Sequence, residues 1–321
     1  MKILVTGGAG FIGSHLCERL LEDGHEVFAL DNLSTGSEKN LAQLLKSPKF
    51  SLVSGSILDL SILKDLAEKV DYIFHLAAAV GVFNILQNPL ASLSINLRGT
   101  ENVLEAAHSS GTPVLLTSSS EVYGKNNADS LKENDDRILG SPTTLRWAYS
   151  EAKAIDESLA FAYFVEKNLE IRLVRLFNTV GPRQLGSYGM VVPRFVKSAL
   201  ANEPITIYGN GSQSRCFAHV YDVIDALVAV AFAANTIGRV VNIGNDSEIT
   251  INDLARLIIA HTNSSSEMVF IPYKEAYGDG FEDMERRVPN IDLIRNLVGW
   301  EPKRNLLTII EDICLEMKYN T

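Results

Sequence analysis

The first thirty-one residues constrain the fold most, because they spell a strand, a glycine-punctuated turn, an amphipathic stretch and a second strand without interruption. Lys2-Ile3-Leu4-Val5-Thr6 leads into Gly7-Gly8-Ala9-Gly10-Phe11-Ile12-Gly13, residues 14–23 have helical patterning, and Glu26-Val27-Phe28-Ala29-Leu30 ends on Asp31. Glycines at 7, 10 and 13 allow a tight turn, let backbone approach a pyrophosphate and let the helix pack close to the strand, with the helix N-terminus facing the phosphates. Glycine triplets also make ordinary structural turns. Here the strand, the helix and an acid 18 residues after Gly13 all fall where a dinucleotide needs them, so a dinucleotide is predicted, with Phe11 and Ile12 of the turn among its contacts. Asp31 is expected to hold the adenosine ribose diol. Its carboxylate would repel a 2′-phosphate, and Asn32-Leu33-Ser34-Thr35-Gly36 brings no arginine to neutralise one, which favours NAD over NADP.

The rest of the chain fits an ordinary globular protein of about two domains: 321 residues, 46% hydrophobic and 21% charged. A net charge of −10 argues against nucleic-acid and anionic-membrane surfaces, so any anionic substrate must be met by a few placed cations. Cys17, Cys216 and Cys314 lie far apart without metal-ligand spacing and read as reduced thiols, pointing to the cytoplasm and to no metal site. The opening apolar run is too short for a signal peptide or a membrane span.

Strand-like runs at 2–6, 26–30, 51–53, 72–76, 113–117 and 171–176 alternate with helix-compatible stretches, the sequence form of a doubly wound, Rossmann-like α/β fold with a parallel sheet. After Leu176 the texture becomes irregular, with a helix-like 190–201, a short Thr206-Ile207-Tyr208 and loops rich in Gly, Asn and Ser. The expected division is a cofactor domain over 1–178 and a smaller C-terminal lobe over 179–321. Residues 220–245, a helix followed by Val240-Val241-Asn242-Ile243, are expected to return to the main sheet.

Tyr149-Ser150-Glu151-Ala152-Lys153 sets a tyrosine and a lysine four apart, on one helical face. The ammonium and an oxidised nicotinamide both favour phenolate, which would lower the tyrosine pKa and make a base. Upstream, Val114-Leu115-Leu116 ends in Thr117-Ser118-Ser119-Ser120-Glu121, and ligands of open α/β sheets sit at such carboxyl ends. Alone, either segment is commonplace, as a helix surface or a serine-rich cap.

Together, the glycine turn, the Ser119 region and Tyr149-x-x-x-Lys153 resemble the extended short-chain dehydrogenase/reductase superfamily. His75-Leu76-Ala77-Ala78, Asn96-Leu97-Arg98-Gly99-Thr100, Arg175-Leu176-Phe177-Asn178, Gly181-Pro182-Arg183 and Gly299-Trp300-Glu301-Pro302 extend the likeness over nearly the whole chain. The resemblance implies a nucleotide-sugar epimerase, dehydratase or decarboxylase that keeps NAD bound. It implies Tyr149 as base, Ser119 on the sugar 4-hydroxyl and Lys153 on the nicotinamide ribose, with Ser34, Thr35, Gly36, Ser56, Ile57, Leu76, Ala77 and Ala78 around the cofactor. Ser56 departs from the acid usual before the adenine-contacting backbone. For the substrate it implies a UDP-sugar, with a uracil stacked near Tyr208, the diphosphate on Arg215 and Asn178, and Val192, Arg194 and Gln213 nearby. A guanidinium suits bidentate phosphate oxygens.

All these chemistries begin by oxidising C4, so neighbouring residues decide among them. Ser120-Glu121 after Ser119, with Met284-Glu285-Arg286-Arg287-Val288-Pro289, resembles the UDP-glucuronate decarboxylases. A 4-keto group turns the C5 carboxylate into a β-keto acid that loses CO₂, and Arg287 can position the returning proton. The expected reaction is therefore UDP-glucuronate to UDP-xylose. The alternative is a UDP-glucose or UDP-glucuronate 4-epimerase, with a 4,6-dehydratase and a non-catalytic NAD-binding relative behind it. Val80-Gly81-Val82-Phe83-Asn84 departs from the loop usual in decarboxylases. Apolar residues on more than one face of 92–108 and 148–166, such as Leu93, Leu159, Phe161 and Phe164, suggest a homodimer.

Overall fold

Alternate side chains of the first strand bury on opposite faces: Ile3 and Val5 enter one apolar core and Leu4 enters another. Leu115 and its neighbours Val114 and Leu116 divide the same way. A strand covered on both faces is apolar throughout, which is why these runs lack polar alternation. The computed structural model describes residues 1–81, 87–186, 190–277 and 284–319; Val82, Phe83 and Asn84 lie outside them.

Seven parallel strands form the main sheet: β1 (Lys2–Thr6), β2 (Glu26–Asp31), β3 (Phe50–Ser54), β4 (Tyr72–His75), β5 (Val114–Ser119), β6 (Ile171–Leu176) and, far later, β11 (Val240–Ile243). Their spatial order is β3-β2-β1-β4-β5-β6-β11, so the winding reverses between β1 and β4. Helices α1 (Phe11–Glu22) and α6 (Val220–Phe232) cover one face; α2 (Leu60–Ala67), α3 (Pro89–Ser110) and α4 (Ala148–Lys167) cover the other. Asp59 caps α2 by accepting from the Ser61 and Ile62 N–H groups. Gly111 ends α3 in the left-handed conformation, at φ +70°.

The second lobe has its own core, where α5 (Val191–Leu200), α7 (Ile251–Thr262) and α10 (Leu306–Tyr319) bury Phe195, Leu254, Ile258, Ile310 and Ile313. Three two-stranded ladders join it: β7 (Thr179–Val180) with β10 (Ala218–His219), β8 (Ile205–Tyr208) with β13 (Met268–Ile271), and β9 (Ser214–Cys216) with β12 (Glu248–Thr250). The short helices α8 (Tyr273–Tyr277) and α9 (Asp292–Val298) complete the described α-helices. Among the described residues no helix is long and apolar enough to cross a membrane.

Candidate active site

The carboxyl ends of β1, β4, β5 and β6 face a single cavity of about 770 Å³ that also reaches the second lobe. It lies at the reversal point of the sheet, where open α/β folds bind ligands. At its β1 end, α1 starts on Gly10 with no side-chain cap and no acid in its first turn. The leading N–H groups are thus left for an anion. A Cβ on Gly13 would lie 2.0 Å from the Gly7 carbonyl oxygen, and one on Gly7, at φ +72°, would lie 2.9 Å from the Ala77 nitrogen. The turn can be built only with glycine, and it leaves bare backbone against the cavity.

Asp31 accepts from the Ala9 N–H at 2.9 Å and the Leu33 N–H at 2.8 Å, which fixes its carboxylate at the cavity wall. Gly7, Gly10, Phe11, Ile12, Gly13, Asn32, Ser34, Thr35, Ser56, Ile57, Leu76, Ala77 and Ala78 line the same end. Ser56 accepts from the Leu58 N–H at 3.2 Å, so its hydroxyl ties the local turn. An uncapped helix start, a cradle that any Cβ would fill and a fixed carboxylate fit a dinucleotide. Gly36 does not line the cavity: it packs behind Asp31, where a Cβ would meet the Ala9 carbonyl carbon at 2.9 Å. Val192 also departs from expectation. It is fully buried in the core of the second lobe, and Val191, turned by about 100° on the helix, faces the cavity instead.

At the centre, Ser119, Ser120, Glu121, Tyr149 and Lys153 come together. The Ser119 hydroxyl faces the Tyr149 phenol and pulls its pKa down. Lys153, 2% exposed, donates from Nζ to the Thr117 carbonyl at 3.1 Å and to Asp156 Oδ2 at 3.1 Å. Burial pulls the ammonium down, but Asp156, Tyr149 and Glu157 outweigh it and hold Lys153 above its ordinary pKa. Tyr149 behaves differently from the expectation of a lowered pKa. Burial pushes the phenol up, Lys153 pulls it down, and Glu121 and Asp156 push it up again, so the protein's own groups leave it raised. Lowering it requires further positive charge, which an oxidised nicotinamide would bring.

Glu121 sits between two guanidiniums. Arg146 reaches its carboxylate at 2.6 and 3.2 Å, and Arg287 at 2.6 Å. Burial alone would push this carboxyl up, but the two arginines hold it well below the usual carboxylate range. Glu121 therefore stays ionised and is not available as an acid. Arg287 also donates to Asn178 Oδ1 at 3.0 Å, while its buried Nε has no acceptor among the described residues. Three ionised groups leave this cluster one positive charge in excess.

At the far end, the Arg194 guanidinium lies 4.6 Å from the Tyr208 ring centre and donates to the Thr206 carbonyl at 2.7 Å. Gln213 donates to the Tyr208 carbonyl at 3.1 Å, and Arg215 to the Ser214 carbonyl at 2.8 Å. Asn178, Arg194, Tyr208, Gln213, Arg215 and Arg287 all line the cavity. Sequence reasoning missed Arg146, Asp156, Ser92 and Tyr273. Arg146 falls three residues outside the Tyr-x-x-x-Lys pattern; Asp156 was within reach of the same helical-face argument, three residues beyond Lys153. The three cysteines are free and buried, and the described residues contain no group of three or more His, Cys, Asp or Glu able to hold a metal.

Comparison with known proteins agrees with this geometry. Residues 3–244 match the NAD dependent epimerase/dehydratase family. A UDP-N-acetyl-alpha-D-glucosaminuronate decarboxylase of Bacillus cytotoxicus is 37% identical over 302 residues, spanning 94% of this chain and 92% of that protein. UDP-glucuronic acid decarboxylase 1 of Danio rerio is 38% identical over 94% of this chain and 69% of its own length. The crystal structure of a UDP-glucuronic acid 4-epimerase from Bacillus cereus, in complex with UDP-glucuronic acid and NAD, superposes with a TM-score of 0.90 at 28% identity, covering 100% of both chains. The chain is a member of the NAD-dependent epimerase/dehydratase family, an enzyme whose cofactor is NAD.

Proposed function

We propose that this enzyme decarboxylates UDP-glucuronate to UDP-xylose through a 4-keto sugar. The observation that carries the reading is the Glu121–Arg146–Arg287 cluster, a buried patch with excess positive charge and an unsatisfied Arg287 Nε beside the catalytic pair. Such a patch suits a C5 carboxylate, and each of the three relatives named above acts on or binds a uronate by its name.

In this reading Ser119 holds the sugar 4-hydroxyl and Tyr149 takes its proton. NAD, when bound, supplies a reversible acceptor for the electrons leaving C4. With a ketone at C4, the C5–carboxylate bond breaks heterolytically, its electron pair passes into the enolate and CO₂ departs. Arg287 steadies the carboxylate and the enolate and positions the proton that returns to C5, and Tyr149 gives its proton back to O4 as the C4 ketone is reduced to the product alcohol. Glu121, held ionised, aims both arginines and makes no proton transfer of its own. Residues 1–178 with 220–245 hold the cofactor, and the lobe of 179–321 holds the nucleotide, with Tyr208 against the base and Arg215 and Asn178 at the diphosphate. We also read the enzyme as a cytoplasmic homodimer: three free cysteines support the location, and exposed Ile155 and Ala162, seven residues apart on α4, support the pairing.

Incubation with UDP-glucuronate, UDP-N-acetylglucosaminuronate and UDP-glucose in parallel, read by mass spectrometry, tests the reaction. A product one CO₂ lighter is expected from UDP-glucuronate. A product of unchanged mass that interconverts with its substrate would replace this reading with the 4-epimerase, which the fold neighbour from Bacillus cereus favours.

A further inference from the structure

One helical turn beyond Lys153, Asp156 is 1% exposed and accepts from the Lys153 ammonium at 3.1 Å. Thr100 of α3 stands beside the same carboxylate, whose Oδ1 has no hydrogen-bond partner among the described residues. Thr100 is held in turn by His75 of β4, at 3.2 Å, and the other ring nitrogen of His75 meets Thr6 of β1 at 2.8 Å. Burial lowers the His75 pKa to about 3, so this link is neutral. The ion pair is thus held at the Thr117 carbonyl and shut away from water. Taking two charges out of water is costly, and replacing a buried ion pair by apolar side chains of similar volume is often neutral or stabilising, so stability alone is a weak reason for this pair.

We infer that Asp156 is a positioning residue for the catalytic pair: it shares the Lys153 ammonium with Tyr149, and its charge sets the pH at which the phenol can give up its proton. This inference rests on Tyr149 acting as the base. The other charges facing the pair are already answered. Glu121, from the turn after β5, is neutralised by Arg146 and Arg287. Glu157, on the same helix as Lys153, receives two hydrogen bonds from Arg175 of β6, at 2.9 and 2.7 Å. Asp156 alone among these carboxylates has Lys153 as its cationic partner. When Tyr149 ionises, the Asp156–Lys153–Tyr149 group passes from net zero to a net charge of −1. With asparagine at 156 the same step passes from +1 to zero, which a buried site favours.

The test titrates Tyr149 by ultraviolet phenolate difference absorption in NAD⁺-saturated protein, with Tyr149→Phe as the blank in each background. In Asp156→Asn the Tyr149 titration should move about one pH unit lower, the scale of effect one close charge exerts in a buried cluster, and the acidic limb of kcat/KM should move the same way. Asp156→Glu, which keeps the charge, should stay near wild type. Should Asp156→Asn fail to fold, judged by thermal melting, Asp156→Ser serves in the same titration. A Tyr149 titration unchanged or higher in the neutral variant overturns the inference. Failure of the underlying reading looks different: Tyr149→Phe would then retain turnover whatever residue occupies 156.

Discussion

At the residue scale, the site is a set of paired charges built around one phenol. Tyr149→Phe removes a single oxygen and leaves Lys153 its contacts to Thr117 and Asp156, so NAD affinity should hold while turnover falls by about 10²–10⁴-fold. Steady-state rates beside an NAD titration decide it; retention of more than about a tenth of the activity would remove Tyr149 from the role of base. The motif residues Tyr149, Lys153 and Ser119 were legible because a short spacing within one helix, or the end of one apolar strand, defines each. Arg146 was not. Its partner Glu121 is 25 residues away, and only the fold brings the 3₁₀ turn Leu145–Trp147 against the end of β5.

At the element scale, the first βαβ unit carries a strict packing demand. Gly13→Ala would drive a methyl group into the Gly7 carbonyl, so α1 must slide off β1, at a cost of about 1–3 kcal/mol for an overpacked contact. Both the melting temperature and NAD affinity should fall, whereas a variant that lost neither would mean the helix start does not hold the cofactor. The parallel strands were readable to within a residue or two because burial on both faces leaves the inner ones mostly apolar, even though β3 at the edge exposes Ser51 and Ser54 and β6 buries Arg172 and Arg175. The ladders of the second lobe were not. Ser214–Cys216 finds its register only opposite Glu248–Thr250, and Met268–Ile271 only beside Ile205–Tyr208, pairings set by distant chain rather than by local pattern. Val192 shows the same limit: the helix over 191–200 was visible, but which side of it faces ligand depends on a core that the local sequence does not describe.

At the scale of the whole molecule, α3 and α4 pack side by side on the sheet, burying Val103 and Leu104 while leaving Ile155 51% exposed. If that outer face is the dimer contact, Ile155→Arg combined with Ala162→Glu should halve the mass seen by light scattering and leave the melting behaviour of the subunit recognisable. A wild-type protein that scatters as a single chain would dismiss the pairing. The sheet itself carries a different consequence. Its edge strand β11 arrives some 60 residues after β6, once much of the second lobe has been made. During synthesis from the N-terminus, β6 must therefore wait with an unpaired rim of backbone while the intervening chain leaves the ribosome, the kind of rim on which nascent sheets associate wrongly. Val240–Ile243 covers that rim and leaves in its place a shorter edge of four residues, the length at which edges are least open to wrong pairing.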